Sequence, residues 1–247
     1  MKVISDKPVK NIKKELMVRR SIHKKIARII AGSRVNLLLF TVSVILISLY
    51  VVAALLQNTG IFTISASRDN LLSYNLVLSD SIQFDRPQRE LKATAVKDMW
   101  NITQRDIPKN IDSIDGNHNG KNYMAYTFYL KNEGIDGVKY DSAIDISELH
   151  LAVDEAIRIK IYLNGVPNVY AKQKSDGSLQ PEPSTIPFGS TSRIIRLNQK
   201  DILPGQIDKF TVVAWIEGED PDCVNSIMGG SIKMVMKFNA LMKVIQS

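Results

Sequence analysis

The segment IRIKIYLNG, Ile157 to Gly165, decides how the larger part of the chain is read. Ile157, Ile159, Ile161 and Leu163 alternate with Arg158, Lys160 and Tyr162. That two-residue period is the mark of a strand with one face on a core and one face wet. The run stops at Asn164-Gly165, a dipeptide suited to a tight hairpin turn, and Val169-Tyr170-Ala171 follows as the returning strand.

The same period recurs outward from this hairpin. Downstream, Phe210, Val212, Ala214 and Ile216 form one strand pattern, and Ile232, Met234, Met236 and Phe238 form another, with Lys233 and Lys237 on its outer face. Upstream lie YMAYTFYL (Tyr123–Leu130), Leu76–Leu78 and the alternation from Ile61 to Ala66. Leu91–Ala95, Ala143–Ser147 and Arg193–Leu197 are further candidates, and Asp98–Arg105 and Ser147–Ala156 suit helical turns. Loops are acidic or Pro-rich at Asp112–Gly120, Ser175–Phe188 and Glu217–Asp222. Short strands punctuated by Gly, Pro, Asn and Asp predict a mainly β fold, an antiparallel β-sandwich of jelly-roll type over residues 58–247.

Before Gly60 the pattern is different. No charged residue occurs between Arg34 and Arg68, and Leu37 to Leu56 reads LLLFTVSVILISLYVVAALL. A helix of that length spans about 30 Å, the thickness of a bilayer core. Its Thr41, Ser43 and Ser48 hydroxyls can return hydrogen bonds to the helix backbone. Residues 35–57 are therefore expected to form a single transmembrane helix. Val52-Ala53-Ala54 offers a small-residue cleavage site, but the preceding basic region is long for a signal peptide, so the helix is expected to stay as an anchor.

Charge gives the orientation. The chain's formal net charge is +7, yet Met1 to Arg34 holds 11 Lys and Arg against only Asp6 and Glu15. The remainder is slightly acidic, so the basicity belongs to residues 1–34 and does not describe a nucleic-acid-binding domain. Positive flanking charge places the N-terminus in the cytoplasm and the C-terminal domain outside the cell membrane. Within the tail, Leu16, Met17, Ile22, Ile26, Ile29 and Ile30 recur among basic residues. That pattern fits either an amphipathic helix on an anionic leaflet or a plain topology signal. The single Cys223 cannot form an intramolecular disulfide, which leaves stability to the core.

Three pieces, in order, carry a family likeness: GIFTISAS followed by NLVLSDS, then YTFYLKNEG with YDSAIDIS, and finally GGSIKMVMKFNA after an acidic stretch. This order resembles the TasA/camelysin group of Firmicute surface proteins over roughly residues 50–240. The resemblance implies a hydrophobic N-terminal segment, a jelly-roll domain, a Gram-positive cell-surface or matrix location and, for matrix members, fibres built by strand exchange. The long basic tail and the retained membrane segment depart from it.

Camelysin's description as a metal-dependent protease makes zinc worth testing. A catalytic zinc needs three protein ligands, and only His118 and His150 lie beyond the membrane segment, with no HExxH. His150 reads as a partly buried structural residue. No Gly-x-Ser-x-Gly elbow or phosphate loop occurs, and Cys223 lies among acids in DPDC, which disfavours the thiolate.

The densest constellation is IDSIDGNHNG, where Asp115, Asn117, Asn119 and Gly120 match positions 1, 3, 5 and 6 of a calcium loop. Position 12 is Tyr126 instead of Glu, so a Ca²⁺ site would need Asp112 or a distant carboxylate. The alternative is a turn-rich loop that binds nothing. Glu217, Glu219, Asp220 and Asp222 form a second acidic stretch, either a cation or basic-partner patch or a solvated loop. The expectation is a non-enzymatic, membrane-anchored surface protein without an obligate cofactor. Its partners would be the membrane and other proteins, including copies of itself through strand edges. A metalloenzyme and a transmembrane regulator are the rivals.

Overall fold

The computed structural model describes residues 7–57, 62–66, 68–88, 90–174 and 185–244. The chain divides into two compact units, Met1–Asn58 and Thr59–Ser247.

The first unit is one uninterrupted helix, α1 (Lys7–Gln57), so tail and apolar stretch share a single element. Within it Arg34–Val52 is long and apolar enough to cross a membrane, with a mean hydropathy of 2.5 and none of the window buried against protein. Thr41 Oγ1 donates to Leu38 O at 2.8 Å and Ser48 Oγ to Val44 O at 2.8 Å. Both hydroxyls are thereby satisfied inside the helix, as an apolar surrounding requires.

The second unit is mainly β. Its strands are β1 (Phe62–Ala66), β2 (Leu76–Ser79), β3 (Glu90–Lys92), β4 (Gly116–Asn117), β5 (Tyr123–Asn132) and β6 (Gly137–His150). They continue as β7 (Ile157–Leu163), β8 (Val166–Ala171), β9 (Thr185–Pro187), β10 (Arg193–Ile202), β11 (Ile207–Ile216) and β12 (Ser231–Val244). A short helix, α2 (Arg68–Ser73), separates β1 from β2. One sheet runs β10-β6-β12-β1-β3; the other runs β2-β5-β11-β7-β8-β9, with β4 also paired to β5.

The hairpin expected at Asn164-Gly165 is present. Leu163 pairs with Val166, and the two turn residues take φ of 52° and 84°. Two positive φ values in a two-residue loop are what the right-handed strand twist demands. Most pairings are antiparallel, but β1 lies parallel to β12, with Phe62 opposite Met234 and Ala66 opposite Phe238.

Inward side chains of both sheets meet in one apolar cluster. Phe128 of β5 stacks on Phe210 of β11 at 5.2 Å, and Phe238 of β12 meets Phe210 edge-on at 5.2 Å. These two geometries are the favoured ones for aromatic quadrupoles. A smaller cluster lies on the other face of the second sheet, where Ile107 and Ile111 pack against Ala125, Val213 and Trp215.

That second cluster corrects the reading of Ile157–Leu163. Its supposedly wet face is covered: Arg158 is wholly buried, and Lys160 and Tyr162 are half-buried. Two candidate helical turns also change. Residues 147–150 complete β6, leaving a 3-10 turn at Val153–Glu155, and the other turn is at Gln104–Asp106. Of the expected Ser175–Phe188 loop, Thr185–Pro187 is a strand and 175–184 lie outside the described residues, as does Ile61.

Candidate functional site

Of the residues proposed as calcium ligands, Asn117 and Asn119 share one partner, while Asp115 and Asp112 bond elsewhere. Asn117 Oδ1 accepts the Thr94 N–H at 2.8 Å, while Asn119 Nδ2 donates to the Thr94 carbonyl at 2.7 Å. Asn119 Oδ1 in turn accepts the Ala125 N–H at 2.9 Å. The two amides thus clasp both polar groups of Thr94, next to Ala93 in the main core.

Asp115 accepts a hydrogen bond from the Tyr129 hydroxyl and another from the Ile82 N–H at 3.4 Å. Burial first, and Asp115 second, hold the Tyr129 phenol above its ordinary range, so it remains a donor. Asp112 pairs with Lys209 at 3.3 Å. Gly116, at φ 65°, makes the turn into β4, a left-handed position that favours glycine. Among the described residues, no group of three or more His, Cys, Asp or Glu side chains is arranged to hold a metal ion.

The histidines stand apart from one another in role. His118 faces two carbonyls, Gly116 O at 2.9 Å from Nδ1 and Ile111 O at 3.0 Å from Nε2. A neutral ring donates to one of them and a charged ring to both. His150, expected to be partly buried, is exposed at the end of β6.

The acidic stretch 217–222 is not simply a solvated loop. Glu217 is buried, accepting Trp215 Nε1–H at 2.9 Å and the N–H groups of Gln104 and Glu219 at 3.2 Å each. Asp220 is buried against Arg158, which crosses from β7 to meet it at 2.7 Å, and it also accepts the Asp222 N–H at 2.8 Å. Only Glu219 keeps an exposed partner, Arg105. Two of the four carboxylates are therefore internal struts.

The outer face of the first sheet carries a ladder of ion pairs. Asp145 on β6 joins Arg193 of β10 at 2.7 Å and Lys237 of β12 at 3.1 Å. The Arg193 hydrogen bond is the main cause holding the Asp145 carboxyl below its ordinary range, and Lys237 adds to it. Arg196–Asp141 at 2.8 Å and Lys233–Glu148 at 2.7 Å extend the ladder.

Sequence reading missed one densely bonded, buried carboxylate. Asp208 of β11 is wholly buried and accepts from Tyr140 Oη at 2.6 Å, from Asn164 Nδ2 at 2.8 Å and from Lys200 Nζ. Burial foremost, with Asp208 beside it, keeps the Tyr140 phenol protonated well above its ordinary range. A signal existed: Asp208 shares the inward parity of Phe210, Val212 and Ala214. Nearby, Asn132 ends β5 by accepting the Gly134 N–H at 2.8 Å and donating to Asp136 O and Ile202 O, an Asx turn that ties two loops together.

β10 is the one long edge strand in the described β unit, and its outer side carries Arg193, Arg196 and Asp201. Two register irregularities, between Arg193 and Ile195 and between Leu197 and Lys200, interrupt its ladder. Charges and bulges of this kind restrict edge-to-edge pairing.

No family model and no curated protein matches the chain. Among solved structures, a β-glucosidase from Kluyveromyces marxianus in complex with glucose shares 11% identity, with 69% of this chain and 16% of that one covered at a TM-score of 0.23. The N-terminal domain of PorA shares 8% identity, with 67% and 96% covered at a TM-score of 0.24.

Proposed function

We propose that this is a non-enzymatic surface protein of a Gram-positive cell. α1 anchors it with its N-terminus inside, and the β unit, a jelly-roll-type sandwich, is held outside for assembly or adhesion. The observation that carries the reading is the window Arg34–Val52, long and apolar enough to cross a membrane, preceded by basic residues and followed by none until Arg68. An exposed apolar helix of that length has lipid as its natural solvent.

Two further observations favour presentation over catalysis. The polar constellations described above tie loops and sheets together, and the order of strand motifs resembles that of the TasA/camelysin group. Contacts with other proteins would fall on loops and on the charged β10 edge, which favours partner-specific pairing over indiscriminate stacking.

Membrane fractionation with protease shaving of protoplasts expressing a C-terminally tagged chain tests the reading. Membrane-bound, full-length protein digested from outside is the expected result. A tagged fragment released into the medium with its end near Ala54 would replace the anchor with a cleaved leader and favour a secreted matrix subunit. A tag protected from protease in intact protoplasts would overturn the topology.

A further inference from the structure

The Asp208 cluster brings together an amine, a carboxamide and a buried carboxylate, drawn from both sheets. Lys200 belongs to the edge strand of the first sheet. The register irregularity between Leu197 and Lys200 sets it directly opposite Tyr140. Strict alternation from Leu197 would have put Gln199 there instead. Lys200 and Tyr140 thus reach the same carboxylate from the same side.

Asn164 comes from the other sheet, at the β7–β8 turn. Two bonds fix it: its N–H donates to Lys209 O at 2.9 Å, and its Oδ1 accepts the Lys209 N–H at 2.8 Å. Its Nδ2 donates to Asp208 Oδ1, the same oxygen that Lys200 Nζ meets. The carboxamide therefore has its oxygen on a backbone donor, its nitrogen on a carboxylate and an amine beside that carboxylate.

We propose that Lys200 and Asn164 are joined by an intramolecular amide bond, formed by the folded protein itself. Asp208 takes a proton from the Lys200 ammonium, and the free amine attacks Asn164 Cγ. The Lys209 N–H holds the oxygen on which negative charge develops, as an oxyanion donor does. Asp208 passes its proton to the departing Nδ2 and then removes one from the new C–N linkage. The Cγ–Nδ2 bond breaks, the Cγ–Nζ bond forms, and one ammonia leaves, finally as ammonium with Asp208 again a carboxylate. No oxidant or cofactor enters.

Each element of the surroundings suits this step. Fixed geometry substitutes for concentration in intramolecular acyl transfer. Tyr140 holds Asp208 Oδ2 and leaves Oδ1 for the shuttle. Asn164 is on an exposed turn, which gives ammonia a way out. The product would be a covalent tie between the two sheets of a domain whose only cysteine is Cys223. The reaction depends on the folded domain alone, whichever side of the membrane it occupies.

Peptide mapping and intact-mass measurement of the denatured full-length chain test the proposal. The wild type is expected to be lighter than its sequence by one ammonia and to yield a branched peptide linking Lys200 to Asn164. Lys200→Arg and Asn164→Ala are expected to restore the full mass and give linear peptides only. A wild-type protein that is folded yet has its full sequence mass, with no branched peptide, overturns the proposal. So does an ammonia deficit that persists in Lys200→Arg, since that identifies a cyclic imide at Asn164-Gly165.

Discussion

Arg158 and Asp220 meet at 2.7 Å with both side chains wholly removed from solvent. The pair fastens the acidic loop to the outer face of the second sheet, where sequence periodicity had promised water. Neither ion is solvated, so the close counter-charge matters to both. Breaking such a buried pair by removing one partner costs about 3–5 kcal/mol. Asp220→Ala is therefore expected to lower the denaturant midpoint of the purified chain steeply. The double replacement Arg158→Met with Asp220→Leu should recover most of the loss. Equal losses in single and double variants would mean that packing, not charge, dominates the site.

Trp215 and Glu217 form the neighbouring strut, with the indole N–H 2.9 Å from a buried carboxylate oxygen. Trp215→Phe keeps much of the apolar area but leaves Glu217 short of a donor. The expected cost is about 2–4 kcal/mol, combining a lost hydrogen bond to a charged group with a smaller ring. Glu217→Gln, which keeps an acceptor, should be milder by the same unfolding measurement.

The clasp on Thr94 gives a test of the calcium-like loop. Asn119→Ala removes two hydrogen bonds and Asn117→Ala one, at about 1 kcal/mol each. Asn119→Ala should therefore be the more destabilising. Because these side chains already have protein partners, thermal midpoints in calcium and in chelator are expected to coincide. A rise with calcium that disappears in Asn117→Ala would assign the loop to a metal instead.

Asp145 gives the acid limb its sign. Its folded carboxyl is held below the ordinary 3.8, so its contribution is fully present above that value and declines as pH falls towards the lower folded one. Asp145→Asn should flatten the acid side of the stability profile and leave the profile's shape near neutrality unchanged. Arg193→Gln should act in the same direction, through the loss of its main partner.

At the alkaline end the raised phenols act together. Tyr129 and Tyr140 are held above the ordinary 10, so their stabilisation is complete below that pH and lost above it, where the unfolded chain ionises first. Ultraviolet titration should show these phenols ionising with the unfolding transition, and Asp115→Asn should ease the ionisation of Tyr129 only.

The inner architecture was legible because alternation in Ile157–Leu163, Phe210–Ile216 and Ile232–Phe238 reports the face that packs on the main core. The outer layer was less so. Its cover comes from Ile107 and Ile111, isolated apolar residues in irregular backbone that present no period. The hint lay in FTVVAW, where Val213 and Trp215 are apolar on the supposed wet parity, as expected when both faces of a strand are buried. The two-residue β4 and the three-residue β9 fall below any window in which a period can register. For the loops, composition announced charge, but whether an acid is a surface group or a strut depends on a distant Arg158 or Trp215, which local sequence does not encode.

The parallel pairing of β1 with β12 joins the opening strand of the β unit to its final one. β12 also supplies the long antiparallel partner of β6. The first sheet therefore cannot close until β12 has been made, and the strands made before it wait with an open slot beside them. A chain cut short before Ser231 would lose the centre of that sheet, not its margin. A chain that stops short of β12 would carry its own unfilled gap, with the facing edges of β6 and β1 left unpaired.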